Sequence, residues 1–183
     1  MAIEIREKAQ LMSASEIDRT LVRLAHEVLE KTQDLSKLAF IGIRRRGVPL
    51  AQRMAAKIAE LENLNVPVGI LDINLYRDDL STVDVKPVLN ATEIDFNVTG
   101  KDIILFDDVL YTGRTIRAAL DALFDQGRPD RVQLCVLIVR GHRELPIAAS
   151  YVGRTVQTTS SEIIEVKFME IDGVEKVLLV ERV

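Results

Sequence analysis

The run Ile103-Ile104-Leu105-Phe106 has no polar residue to offer water on either face, and it passes straight into Asp107-Asp108-Val109-Leu110-Tyr111 and then Thr112-Gly113-Arg114-Thr115 at the head of a helical pattern. A strand apolar on both faces must be covered on both faces, the condition met in a mainly parallel sheet flanked by helices. The same alternation recurs along the chain. Ser13, with Glu16 three residues on, predicts a capped helix whose residues Ile17, Leu21, Leu24 and Val28 face the core. Leu38 to Ile43 follows as a buried strand, then the loop Arg44-Arg45-Arg46-Gly47, then a helix with Pro49 in its first turn running to about Glu62. Val66 to Ile73 is a further strand, with Pro67 keeping its start out of a deep ladder.

Residues 74–100 lack periodicity and read as a binding flap, since a structureless stretch of that length is otherwise uncommon inside a compact domain. Beyond them come a strand over 103–106, the segment 107–115, a helix to about Gln126 ended by Gly127, and a strand over 132–139. Two alternating runs, about 162–171 and 174–182, flank Asp172-Gly173, a two-residue hairpin signal. The 183 residues predict one α/β domain, 1–183. The N-terminus MAIEIREKAQ carries charges where a secretory signal would be apolar, and no run is long enough to cross a membrane, so a cytoplasmic protein is expected. The single Cys135 lies in an apolar run and is expected to be a buried hydrophobe.

The chemistry is concentrated at 107–115. In an open α/β sheet ligands bind beyond the carboxyl ends of the strands, which puts Asp107 and Asp108 at the mouth of the crevice. Two vicinal carboxylates suit the vicinal hydroxyls of a ribose and offset positive charge developing on the sugar ring. Thr112 to Thr115 offer hydroxyls and unpaired amides at a helix N-terminus, a phosphate site. Diol and phosphate together describe a ribose 5-phosphate. An Asp-Asp pair after a strand also occurs in metal sites and receiver domains. No Gly-x4-Gly-Lys-Ser/Thr or Gly-x-Gly-x-x-Gly string is present, which removes the P-loop and dinucleotide-binding alternatives. The basic loop 44–47, directly after a buried strand, fits a second anion site, with a solvated basic turn as the plain alternative.

The string from Asp107 to Thr115 resembles the binding motif for 5-phosphoribosyl-1-pyrophosphate (PRPP) of type I phosphoribosyltransferases. Arg23-Leu24-Ala25-His26-Glu27, Leu75-Tyr76-Arg77-Asp78-Asp79-Leu80, Asp108 to Thr115 and Arg140-Gly141-His142-Arg143-Glu144-Leu145-Pro146-Ile147 further resemble the PyrR family of pyrimidine operon regulators. The resemblance implies an open, mainly parallel sheet with a flap and a small C-terminal hood. It also implies formation of UMP and pyrophosphate from uracil and PRPP, and binding of the pyrimidine operon leader RNA. By position, Asp107, Asp108 and Arg46 are the catalytic candidates. Arg45 and Arg46 would lie at the pyrophosphate, Asp107 and Asp108 at the ribose, and Thr112, Gly113, Arg114 and Thr115 at the 5′-phosphate, with Leu105, Phe106, Val109, Leu110 and Tyr111 also lining the substrate. Arg77 and Asp79 would belong to the flap, and Arg140 and the backbone near Ile164 would lie around the uracil. Mg²⁺ would arrive with PRPP, bridging its oxygens and stabilising the leaving group, with no direct protein ligand.

For RNA, the residues implied are Arg19, Arg23 and His26, one stripe of the first helix opposite its core face, with His142, Arg143 and Arg154. The formal net charge of −4 requires any RNA contact to come from such a local cluster. Three positions depart from the family pattern: Val22 replaces a small polar residue, Ala148 an arginine, and Val139 an acid. The resemblance also implies a homo-oligomer, in which two-fold symmetry would double the basic stripe. The alternatives are an RNA-binding attenuator with vestigial catalysis, a phosphoribosyltransferase for another nucleobase, and, last, a PRPP-binding regulator of DNA, for which no separate DNA-binding segment is evident.

Overall fold

In the computed structural model, which describes residues 4–74 and 92–183, the chain runs β1 (Ile5–Ser13), α1 (Ala14–Lys31), β2 (Leu38–Ile43), α2 (Gly47–Glu62), β3 (Val68–Leu71), β4 (Asp102–Leu110), α3 (Arg114–Phe124), β5 (Arg131–Arg140), β6 (Tyr151–Val156), β7 (Glu162–Lys167), α4 (Met169–Asp172) and β8 (Lys176–Arg182). Five strands form a parallel sheet in the order β3-β2-β4-β5-β6, with β4 in the middle. Alternation along the strands sorts the core into two layers. Phe40, Ile104, Phe106, Cys135 and Leu137 pack with α1 and α2, whereas Ile41, Ile43, Ile103, Leu105 and Val136 pack with Ile116, Ala119 and Leu123 of α3. Phe40 and Phe106 meet edge to face across β2 and β4, with ring centroids 4.9 Å apart.

Helix α1 begins where expected: Ser13 Oγ accepts from the Glu16 amide at 3.3 Å, and Ile17, Leu21, Leu24 and Val28 are all buried. The capping box is only half formed, because the Glu16 carboxylate meets the Ser13 hydroxyl (3.3 Å) and Arg154 (3.2 Å).

Other boundaries differ from the sequence reading for identifiable reasons. Strand β3 is confined to Val68–Leu71, shorter than 66–73. Strand β4 continues through the two acids to Leu110, because β5 goes on pairing with it at Asp107↔Val136, Val109↔Ile138 and Leu110↔Val139. Strand β1 was not foreseen. Its exposed side chains carry no alternation, and it is held by backbone pairing with β8, in a second, antiparallel sheet of order β1-β8-β7. Asp172-Gly173 is not a two-residue hairpin turn. Strand β7 stops at Lys167, the single turn α4 follows, and Gly173, at φ 68°, ends it in the left-handed conformation that glycine favours. Asp-Gly serves either role, and here the Asp172 carboxylate turns back to accept from the Phe168 amide at 2.9 Å.

Of the expected flap, residues 75–91, with Arg77 and Asp79, lie outside the described residues. The part that follows is tied to the sheet: Glu93 pairs with Ile70 and Val98 is buried in the core.

A close backbone approach sits beside the expected site. After Ile43 the chain leaves the sheet, and α2 begins so near β4 that a Cβ on Gly47 would lie 2.0 Å from the Phe106 carbonyl oxygen. Gly47→Ala is therefore expected to lose at least about 1–3 kcal/mol of stability through forced backbone movement. Urea denaturation measures this, and a wild-type midpoint would show that the contact does not constrain the fold.

Candidate active site

Strand β2 has its last pairing with β4 at Gly42↔Phe106, whereas β5 accompanies β4 to Leu110. The two acids therefore stand where β4 has a neighbour on one side only. Asp107 is buried and Asp108 half-buried. The Asp107 carboxylate accepts from the Asp108 amide at 2.9 Å, and that of Asp108 from the Val109 amide at 2.8 Å. Withdrawal from water pushes the Asp108 carboxyl above its ordinary range, against the opposing pull of its bonds to Asp107 and Val109 and of the Arg46 charge.

Downstream, Tyr111, Thr112 and Gly113 form the turn into α3, with Gly113 at φ 95° and Thr112 Oγ1 accepting from the Arg114 amide at 3.2 Å. A cavity of about 410 Å³ lies over this turn, lined by residues 109–116 and Glu144. The connection after β5 braces it: the amides of Glu144 and Leu145 donate to the Thr112 carbonyl at 2.9 and 3.1 Å, and Arg143 donates to the carbonyl of Tyr111. Arg114 Nε donates to Glu144 Oε2 at 2.8 Å. The turn thus combines backbone donors at a helix N-terminus with a nearby guanidinium, the composition of a phosphate cradle.

Arg44 to Arg46 turn sharply between β2 and α2, through a cis peptide between Arg44 and Arg45. Arg46 reaches a second cavity of about 300 Å³, which it lines with Asp108, Ile164, Glu165, Val166, Lys167 and Asp172. Its Nη2 donates to Asp172 Oδ1 at 2.7 Å, and this bond raises its pKa. Arg45 lies elsewhere, in a cavity of about 230 Å³ with Arg44, Gln52 and Glu170, so the structure separates two residues that the sequence reading grouped. Leu105 and Phe106 are fully buried, and only their backbone can face a ligand.

Arg140, at the end of β5, is buried, and burial lowers its pKa. It donates to the Thr159 carbonyl at 3.3 Å, and its guanidinium carbon lies 3.9 Å from the centroid of the half-exposed Tyr111 ring. His142 Nε2 is 2.8 Å from the Thr158 carbonyl oxygen, and its ring is edge-on to Tyr111 at 6.1 Å. The sequence reading did not single out Lys167, Glu165 or Asp172. The first two are charged residues in a strand, and Asp172 was taken as a turn.

Arg19, Val22, Arg23 and His26 are exposed along α1. Arg23 donates to Glu27 at 2.6 Å and to the carbonyls of Val152 and Gly153 at 3.2 and 2.6 Å, while Arg154 donates to the Leu11 carbonyl and to Glu16. Arg154 therefore adjoins the α1 stripe. His142 and Arg143 belong instead to the surroundings of Tyr111. Among the described residues no three His, Cys, Asp or Glu side chains converge as a metal site, and no helix is long and apolar enough to cross a membrane.

The five-stranded parallel sheet, with two carboxylates near the end of its central strand and an amide-lined turn after them, is a phosphoribosyltransferase fold. Residues 10–169 match the phosphoribosyl transferase domain family. The fold is similar to that of hypoxanthine phosphoribosyltransferase from Staphylococcus aureus (TM-score 0.70, 18% identity, 94% of this chain and 92% of that one). It is also similar to the Trypanosoma cruzi hypoxanthine phosphoribosyl transferase (TM-score 0.73, 12% identity, 96% and 92%). Among curated relatives, the bifunctional protein PyrR of Acetivibrio thermocellus is 58% identical over 94% of each chain. That of Pelotomaculum thermopropionicum is 56% identical over 96% of this chain and 97% of its own, and that of Thermus thermophilus 56% over 97% and 98%. The chain belongs to the PyrR family of phosphoribosyltransferases.

Because the folded state favours the protonated form of Asp108, ionising it opposes folding. That cost is absent below the ordinary carboxylate pKa of about 3.9, grows as pH rises from there to the raised value, and is constant above it. Asp108→Asn should therefore raise the ligand-free Tm at pH 7, with the gap closing toward pH 4. A lower Tm for the variant at pH 7 would mean that the carboxylate stabilises the fold.

Proposed function

We propose that this protein transfers the ribose 5-phosphate of PRPP to uracil, giving UMP and pyrophosphate, and that it also binds the leader RNA of a pyrimidine operon in response to UMP. The observation that carries the catalytic reading is the run of unlike subsites along a single strand end: an anion cavity with Arg46, two carboxylates, then an amide-lined turn. Pyrophosphate, ribose and 5′-phosphate follow one another in PRPP in the same order.

In this reading the 5′-phosphate takes the amides of residues 112–115, and the ribose hydroxyls donate to Asp107 and Asp108. Arg46 faces the pyrophosphate. Mg²⁺, entering as part of the substrate, supplies charge neutralisation to the departing pyrophosphate. As the bond to pyrophosphate lengthens, the carboxylates offset positive charge on the sugar ring, so positioning and electrostatics do the work and no protein nucleophile is required. Uracil would lie near Arg140 and the backbone at Ile164, stacked in the neighbourhood of Tyr111. The curated relatives are named bifunctional, which agrees with a protein of two activities, and nucleobase choice is where this reading goes beyond the hypoxanthine enzymes that share the fold.

Pyrophosphate release from PRPP and Mg²⁺, tested with each common nucleobase, checks this directly. Uracil should turn over, and Asp108→Asn and Arg46→Ala should each lose about 100-fold or more while remaining folded. Turnover with purines alone would reassign the substrate.

The RNA reading rests on the α1 stripe. Arg19 and His26 stand on it exposed, while Arg23 and Arg154 already hold protein acceptors. Binding to pyrimidine operon leader RNA, followed against salt concentration, should strengthen with UMP, and Arg19→Ala should weaken it and flatten the log–log slope by about 0.7. A response indifferent to both UMP and Arg19 would remove the RNA role from this surface.

A further inference from the structure

We propose that Asp172 is a positioning residue of the pyrophosphate subsite, acting through Arg46. The inference rests on the reading of the Arg46 cavity as that subsite. Arg46 stands at the start of α2 and Asp172 at the end of α4, 126 positions apart, yet the guanidinium and carboxylate meet at 2.7 Å across the cavity they line with Asp108 and Lys167.

The carboxylate is itself held from both sides. Its Oδ2 accepts from the Phe168 amide at 2.9 Å, and the left-handed Gly173 directly after it sets the backbone. An acid fixed in this way fixes whatever it binds. Arg46 needs such a partner, because two other carboxylates, Asp108 and Glu165, line the same cavity and compete for its charge. Released from Asp172, the guanidinium is drawn toward Asp108, where it would occupy the place assigned to the ribose hydroxyls. Held by Asp172 through Nη2, the guanidinium stays on the wall of the cavity that it and Asp172 line.

A purely structural role is already filled by other residues. Arg53 of α2 donates from Nε and Nη2 to the two carboxylate oxygens of Glu170 at 2.8 and 2.6 Å, also binds Glu175, and covers the buried Phe168 ring at 5.1 Å. The second sheet and α4 are thus fastened to α2 without Asp172, and the Arg46–Asp172 pair is left facing the cavity.

The test is steady-state kinetics of the full chain with Mg²⁺ and varied PRPP at saturating uracil, for wild type, Asp172→Asn, Asp172→Glu, Arg46→Ala and the Arg46→Ala/Asp172→Asn double variant. Asp172→Asn should raise the KM for PRPP about 10-fold with a smaller change in kcat and none in the KM for uracil. Asp172→Glu, which keeps the charge but lengthens the side chain, should give an intermediate KM. In the Arg46→Ala background the second substitution should add nothing, since its route to the substrate is already cut. An unchanged KM for PRPP in Asp172→Asn, or equal loss in both KM values, overturns the proposal. So does a full additional penalty in the double variant, which would mean that Asp172 meets the substrate complex itself. A wild-type KM for PRPP in Arg46→Ala would instead remove the subsite reading on which the proposal stands.

Discussion

The architecture of the site follows from β4 outlasting β2. As long as both neighbours are present, β4 is a core strand, apolar on both faces and covered by helices. Once β2 departs after Ile43, the carboxylates at 107 and 108 occupy a strand still held on one side by β5 and open on the other. The close contact of Gly47 with the Phe106 carbonyl brings the start of α2 against that open side. A basic loop and an acidic strand end are thereby forced together by backbone packing, before any attraction between their side chains is counted. Any residue larger than glycine at 47 would hold the two apart.

This arrangement has an electrostatic cost that the fold tolerates because the site uses it. Asp108 is ionised only against partial withdrawal from water, and Arg46 and Lys167 share the cavity with three carboxylates, Asp108, Glu165 and Asp172. These charges pair with one another: Arg46 binds Asp172, Lys167 lies 3.7 Å from Glu165, and Arg114 binds Glu144 at the neighbouring turn. Arg46, Lys167 and Arg114 are therefore each paired with an internal acid. Binding a phosphate or pyrophosphate means adding to, or exchanging with, contacts that already exist, which keeps long side chains ordered in advance and lowers the entropy lost on binding.

Much of this was legible in the residues. The doubly apolar strand, the vicinal acids and the Thr-Gly-Arg-Thr turn specify a parallel sheet with the acids and the turn at its carboxyl edge, and local chemistry sets each of them. The second sheet was not legible, because β1 carries exposed side chains without alternation and owes its strand geometry to backbone pairing with β8. Asp172 was hidden for a different reason. Asp-Gly ends a helix as readily as it turns a hairpin, and the pairing of Asp172 with Arg46, far away in sequence, has no local signal. The separation of Arg45 from Arg46 likewise depends on the path of the loop between β2 and α2, which the run of three arginines does not encode. Motifs contained within one segment were readable, whereas contacts made between segments were not.

The central claim is that the strand-end acids and the turn after them form one cradle for a ribose 5-phosphate. A crystal structure with bound UMP tests it most directly. The account predicts the phosphate over the amides of residues 112–115 and the ribose hydroxyls within hydrogen-bonding distance of Asp107 and Asp108. A nucleotide whose phosphate lay in the Arg46 cavity, or away from β4 altogether, would contradict it.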